Sequence, residues 1–471
     1  MMLRNKVLGG KVMKKFIALL LTLVLVMTMV ACQPKETKIQ TVTYYCSIGA
    51  YLSTLQDEIN KWNEGAGKEA GVYIQLESNI NTYSTDLEAL MKAGTHYDLI
   101  DAGTGNAHWK AQGWVQDLNT IDNKELKDLI KGYESYIVNG VNIQKGADGK
   151  DILFALPLEV VPIKMTINKT VFKDLGLEAP KTWADVIACA KAITEGTKGA
   201  VVGYGATNWS AYWRRLHMKA FSSSTEKMWW DPNTETYSFG QYKDIILGLK
   251  EMYDNGWMVG LDDLAIDPIR AEFAAGKVGM FVAPSYDFGV YTSQFVIGGE
   301  GYADFEWEVI DVPTLGDSAV AKGVYMDRVG CSIDAVAFEK ASKAQKEAIV
   351  KAFCFLNSDE LNSAIYAKGG MIPYKADLIA NTKVLVDQPQ WGQFGDIANY
   401  TSVCLYPDSV LPLEGDNYAT VFSAVVHGAT EWTDAMVKDL EDRYNAAYAK
   451  AKADPDIDTS IYAYNYDRSL G

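Results

Sequence analysis

The chain is poor in the residues that build metal and redox centres. Its four histidines, His96, His108, His217 and His427, lie far apart in the sequence and offer no histidine-based metal site. The six cysteines include no C-x-x-C spacing. With Cys32 set aside for reasons given below, Cys46, Cys189, Cys331, Cys354 and Cys404 are odd in number, so no disulfide framework follows. Cys189 and Cys354 fall inside apolar helical patterns and are expected as buried free thiols. Positive charge is scarce too: 44 basic against 60 acidic side chains leave a net charge of −16, without the basic face that nucleic acid requires, and disfavour direct binding to anionic lipid. No G-x-x-x-x-G-K-[ST] occurs, and the glycine-rich stretch Ala102–Trp109 lacks the G-x-G-x-x-G spacing of a phosphate cradle. The alternating carboxylates Asp454, Asp456 and Asp458 lack the glycine and distal glutamate of a calcium loop. No cofactor is therefore expected.

Long apolar runs are equally rare, and the one at the N-terminus is informative. Lys14 and Lys15 precede Phe16–Ala31, sixteen residues that fall short of the ~20 needed to span a bilayer and that end at Met29-Val30-Ala31-Cys32. This predicts a lipoprotein signal peptide over 1–31, with Cys32 as the lipidated residue and 32–40 as a solvated tether, and it places the body on the extracytoplasmic face of the cell membrane. Met13 is the more natural start, since it sets the lysines directly before the apolar run. The remaining chain is long enough for two α/β lobes, each with its own core.

Alternation of strand and helix signals begins at once. Val42–Ser47, Val72–Ser78 and Tyr97–Asp101 have strand patterns, and Leu52, Leu55, Ile59 and Trp62, then Leu87, Leu90 and Met91, mark the helices between them. Such βα repetition implies a parallel sheet with ligands bound beyond the C-terminal strand ends, in the loops 48–53, 79–83 and 102–109. Leu156-Pro157 and Val161-Pro162 bias Phe154–Ile167 toward a broken pair of extended segments. Asn168 then opens a short helix closed by Gly176 and Pro180, and Thr182 caps a longer one whose Trp183, Val186, Ile187, Ala190 and Ile193 share a face. Phe305–Val312 and Gly330–Ala337 are expected as further strands of the first lobe, and Ala344–Leu356 and Ala435–Lys452 as helices.

Residues 154–183, FALPLEVVPIKMTINKTVFKDLGLEAPKTW, resemble the family 1 extracellular solute-binding proteins, whose pattern here is roughly G-x-P, then Y/I-N-K-x-x-F, then G-L-x-x-P-x-T-W. YDLIDAGTGNAHWKAQGWVQDL (97–118), FAAGKVGMFVAPSYDF (273–288) and GGMIPYKAD (369–377) follow in the family's order. The resemblance implies a two-lobed, periplasmic-binding-protein-like (type II) α/β fold with a hinge and an interlobe cleft. Lobe 1 would be 41–157 plus 285–357, and lobe 2 would be 158–284 plus 358–471. It further implies a monomeric, non-enzymatic subunit of an ABC importer that captures a carbohydrate and delivers it to the membrane permease subunits. A secreted hydrolase or lyase acting on glycans is the alternative that the same aromatic and carboxylate content leaves open.

Sugar sites pair flat aromatics with fixed donors and acceptors. Eight aromatics crowd Tyr204–Tyr237, twice the average density of the chain. Of these, Trp209 and Trp230 are binding candidates, with the core as the competing place for Trp230, while Trp213 at helical spacing fits the core better. Tyr51, Asn79, Tyr83, Asn106 and Trp109 lie in the strand-end loops, where Trp109 either stacks on a sugar or covers the sheet. Glu159, Ser285, Tyr286 and Asp287 sit at the two expected crossings between lobes. Glu159 and Asp287 either accept from vicinal hydroxyls or hold Arg328 or Lys164 in an ion pair. Arg328 can bind a hydroxyl or a carboxylate, and Gly370 and Met371 belong to the late loop.

Overall fold

The computed structural model describes residues 38–79, 82–103, 106–208, 213, 229–262, 265–316, 323–396, 400–403, 411–454, 457, 459 and 462. In chain order the strands of its two main sheets are β1 (Gln40–Cys46), β2 (Val72–Ser78), β3 (Leu99–Ile100), β4 (Pro157–Asn168), β5 (Val202–Gly205), β6 (Met258–Val259), β7 (Val278–Pro284), β8 (Trp307–Asp311), β9 (Gly323–Val329), β10 (Ser332–Ile333), β11 (Ile372–Pro373) and β12 (Tyr400–Val403). The smaller sheet runs β10-β3-β1-β2, with β1, β2 and β3 parallel and β10 antiparallel to β3. The larger runs β6-β5-β7-β4-β9-β12, and β8 and β11 also pair with β4. This is a two-lobed α/β fold of the periplasmic-binding-protein type.

Strand β4 organises the larger sheet. Its first half pairs antiparallel with β9 and β11 and its second half with β7 and β8. The two prolines do not break it, contrary to the expectation of a split segment. Pro162 lies where, along the edge opposite β9, the partner of β4 changes from β11 to β7, the place at which a missing N–H costs least, and its carbonyl still accepts from Ser285 N at 3.0 Å. The side chains of β4 are almost all buried, as befits a central strand covered on both faces.

Local signals set the elements that follow. The Asn168 side chain accepts from Val171 N and opens the helix Lys169–Asp174, and Gly176 takes φ +66° just beyond it. Thr182 and Asp185 form a reciprocal capping box on the helix Trp183–Gly196, whose Trp183, Val186, Cys189, Ala190 and Ile193 are buried. This helix lies so close to β5 that a Cβ on Gly203 would stand 2.2 Å from the Ala190 backbone. In the smaller lobe the helix Lys343–Leu356 packs on β1, and its Ile349, Phe353 and Cys354 join Val42, Ile59 and Leu99 in one core.

One strand departs from the sequence expectation. Trp307–Asp311 pairs with β4 in the larger sheet instead of extending the first lobe, whereas Ser332–Ile333, within the expected Gly330–Ala337, does join the smaller sheet. Cys46, Cys189, Cys331 and Cys354 are buried free thiols. Among the described residues no helix is long and apolar enough to cross a membrane. The signal peptide, Cys32 with most of its tether, the Trp209 region, Cys404, Asp456 and Asp458 lie outside the described residues.

Candidate functional site

Where the smaller sheet ends, its loops turn toward β4 and β9. β1 gives way to Ser47, whose backbone N–H (2.7 Å) and hydroxyl (3.0 Å) both donate to Asp101 at the end of β3, and Tyr44 Oη donates to the same carboxylate at 2.7 Å. Burial raises the Asp101 pKa, while these donors act against that rise. The bonds fix the turn that delivers Tyr51 to the start of the helix Leu52–Glu64. Tyr51 is buried, and its hydroxyl has no partner among the described residues.

The neighbours of Tyr51 come from three further segments. Gly370 presses against it so closely that a Cβ there would stand 2.8 Å from Tyr51 Cβ. Glu159 of β4 and Arg328 of β9 are register partners, and Arg328 Nη1 donates to Glu159 Oε2 at 3.1 Å. Glu159 has no solvent exposure, and its Oε1 has no partner among the described residues. Burial pushes its carboxyl up to about 7 even though the Arg328 charge pulls the other way. Tyr51, Asp101 and Tyr286 all lie within electrostatic range of the Arg328 guanidinium, whose side chain stays 33% exposed.

The predicted site residues thus divide. Tyr51, Glu159, Tyr286, Arg328 and Gly370 are brought together where the lobes meet. Met371 follows Gly370 but is buried in the smaller lobe's core. Ser285 is buried beside β4, its N–H bonded to Pro162 and its hydroxyl without a partner among the described residues. Asp287 is committed elsewhere: both of its oxygens accept from Arg270, which also bonds Asp267 at 3.0 Å. The expectation that Asp287 faces hydroxyls, or holds Arg328 or Lys164, gives way to this buried pair. Lys164 itself donates to Asp311 at 2.9 Å and to the Asp396 carbonyl at 2.8 Å.

The strand-end aromatics cover the smaller sheet. Tyr83 stacks on Tyr45 at 5.2 Å and accepts from Asp101 N, and Trp109 is fully buried, 6.4 Å from the Tyr83 ring. Asn79 is occupied in holding Thr82 and Asp86 at 2.7 and 2.8 Å, while Asn106 is half-buried at the start of the helix Ala107–Ala111. Trp230 takes the core place. Its ring sits 4.4 Å from Tyr448 and 5.0 Å from Tyr462, and its Nε1 donates to the Tyr462 carbonyl at 3.0 Å. Arg270 escaped sequence reasoning because D-P-I-R on a helix carries no signal for a partner seventeen positions on.

The junction brings together a carboxylate oxygen that can accept, a guanidinium that donates and a phenol that can do either. With Asp287 tied to Arg270, the second free carboxylate that glycoside hydrolysis generally uses is not supplied by that residue.

The sequence model of the bacterial extracellular solute-binding proteins matches residues 49–361. The fold is similar to the GacH receptor of Streptomyces glaucescens, solved unliganded and with acarbose (TM-score 0.63, 15% identity, 87% of this chain and 97% of that one). It is also similar to an ABC substrate-binding protein of Listeria monocytogenes in complex with cycloalternan (0.61, 16%, 87% and 99%). A third likeness is to a solute-binding protein of Thermotoga lettingae bound with α-D-tagatose (0.62, 17%, 87% and 100%). No curated protein matches the chain.

Proposed function

Because the chain belongs to the bacterial extracellular solute-binding proteins, we propose that it captures a sugar or oligosaccharide between its lobes and delivers it to the permease of an ABC importer. In this reading Cys32 carries the lipid that holds the protein on the extracytoplasmic face of the membrane, and a separate ATPase supplies energy. The observation that carries the reading is the junction of Tyr51, Glu159 and Arg328, in which a buried carboxylate oxygen and a buried phenol have no partner among the described residues. Buried polar atoms of this kind cost about 1–3 kcal/mol each until something bonds them, and sugar hydroxyls match their chemistry. The sugar complexes of structures with the same fold favour that ligand class.

A ligand that prefers the closed arrangement shifts the hinge equilibrium toward it, which gives a permease a state to recognise. The test is a thermal-shift screen of the purified protein against mono- and oligosaccharides, amino acids and short peptides. A shift confined to sugars, without product formation, is expected. A shift confined to amino acids or peptides, or turnover of the sugar, would overturn the proposal.

A further inference from the structure

Glu159 spends one oxygen and keeps one. Oε2 accepts from Arg328 at 3.1 Å, and Oε1, on a side chain without solvent exposure, has no partner among the described residues. Arg328 is one-third exposed and open to an approaching molecule, and Oε1 beside it becomes reachable when the lobes part in the hinge motion proposed above, which sets a donor and an acceptor side by side. That arrangement suits adjacent hydroxyls, one donating a hydrogen bond to Oε1 and the other accepting one from an N–H of Arg328.

The charges decide which hydroxylated molecule fits. The guanidinium faces Glu159 from β4, Asp101 from β3, Tyr51 from the helix start and Tyr286 from the segment after β7. Above about pH 7, where Glu159 is ionised, its charge matches the single positive charge of Arg328, and no net positive charge remains for a carboxylate ligand. Opposite Glu159 on the other side, β11 presents Pro373, which carries no charge.

We infer that Glu159 determines specificity in the cleft: it accepts a hydrogen bond from a hydroxyl of a neutral sugar and cancels Arg328, so that neutral sugars are accepted and uronic acids refused. This rests on sugar capture as proposed above. A consequence follows for pH. Burial raises the Glu159 carboxyl to about 7, so at lower pH it protonates, accepts a hydroxyl less strongly and ceases to cancel Arg328. Neutral sugars then bind less well and acid sugars better.

The experiment is titration calorimetry of the wild-type protein and the Glu159→Gln variant with maltotriose, raffinose, xylotriose and trigalacturonate. It is run at about pH 5.5 and about pH 8, on either side of the raised carboxyl. For the neutral trisaccharide that binds, affinity is expected to rise about tenfold from the lower to the higher pH. Trigalacturonate should bind more weakly and change in the opposite sense. Glu159→Gln should flatten both profiles, weaken the neutral sugar about tenfold and tighten trigalacturonate. Neutral binding with a flat pH profile, left unchanged by Glu159→Gln, would overturn the inference and leave sugar capture standing, as would trigalacturonate binding as tightly as the neutral sugar. Failure of every sugar at both pH values would overturn both proposals. If the variant does not fold, the opposed wild-type slopes decide.

Discussion

Arg270 and Glu159 illustrate opposite uses of a buried charge. Removing the Arg270 side chain strands the Asp287 carboxylate in a site without solvent exposure, because both of its oxygens depend on that guanidinium. Arg270→Met should therefore lower stability by roughly 3–5 kcal/mol, read from the urea midpoint; a loss below about 1 kcal/mol would mean the pair is not buried as described. Glu159 is instead left half-satisfied, and its folded carboxyl lies near 7 against 4.5 for the free group. Between those values the folded state binds more protons than the unfolded one, so the contribution of this residue to stability falls as pH rises through that window. Denaturation of the unliganded protein at several pH values should show a slope that Glu159→Gln removes. A shift of this size corresponds to a difference on the order of 3 kcal/mol across the window. An unchanged slope would place the carboxyl nearer its ordinary value.

Elements differ in how far their causes lie along the chain. The helix Trp183–Gly196 was legible because its start is written locally, in Thr182 and Asp185, and its buried face recurs at helical spacing. Thr182→Ala should cost about 1 kcal/mol by removing that cap. Gly203→Ala should cost more, on the order of 1–3 kcal/mol, since the new methyl group meets helix backbone that cannot rotate away. Thermal melts of the two variants would rank them, and the reverse order would contradict the close approach of helix and strand. The place of Trp230 was not legible: its partners Tyr448 and Tyr462 come from a segment more than two hundred residues later, and adjacency to a turn says nothing of that. Trp307–Asp311 was misplaced for a related reason, because strand character is local while the choice of sheet is made by β4. At the junction of the lobes the sequence marked Glu159 and Arg328 as possible partners, yet only the register of β4 against β9 makes them neighbours.

At the scale of the molecule, the proposed capture couples ligand to hinge. If sugar capture holds, saturating ligand at about 100 times Kd should stabilise the protein by about 2.7 kcal/mol. Small-angle scattering should show a smaller radius of gyration with ligand than without, and identical curves would argue against closure. Sheet topology has a different consequence, one of timing. The smaller sheet takes β1 to β3 from the first hundred residues but its edge strand β10 from residues 332–333, with its covering helix later still. At about 5–20 residues per second, synthesis of the chain between β3 and β10 takes roughly 10 to 50 seconds. Throughout that interval the first lobe has no way to complete itself. Until β10 is made the nascent chain cannot close this sheet, and for a polypeptide bound for the extracytoplasmic side such delay favours the unfolded form that is easiest to export.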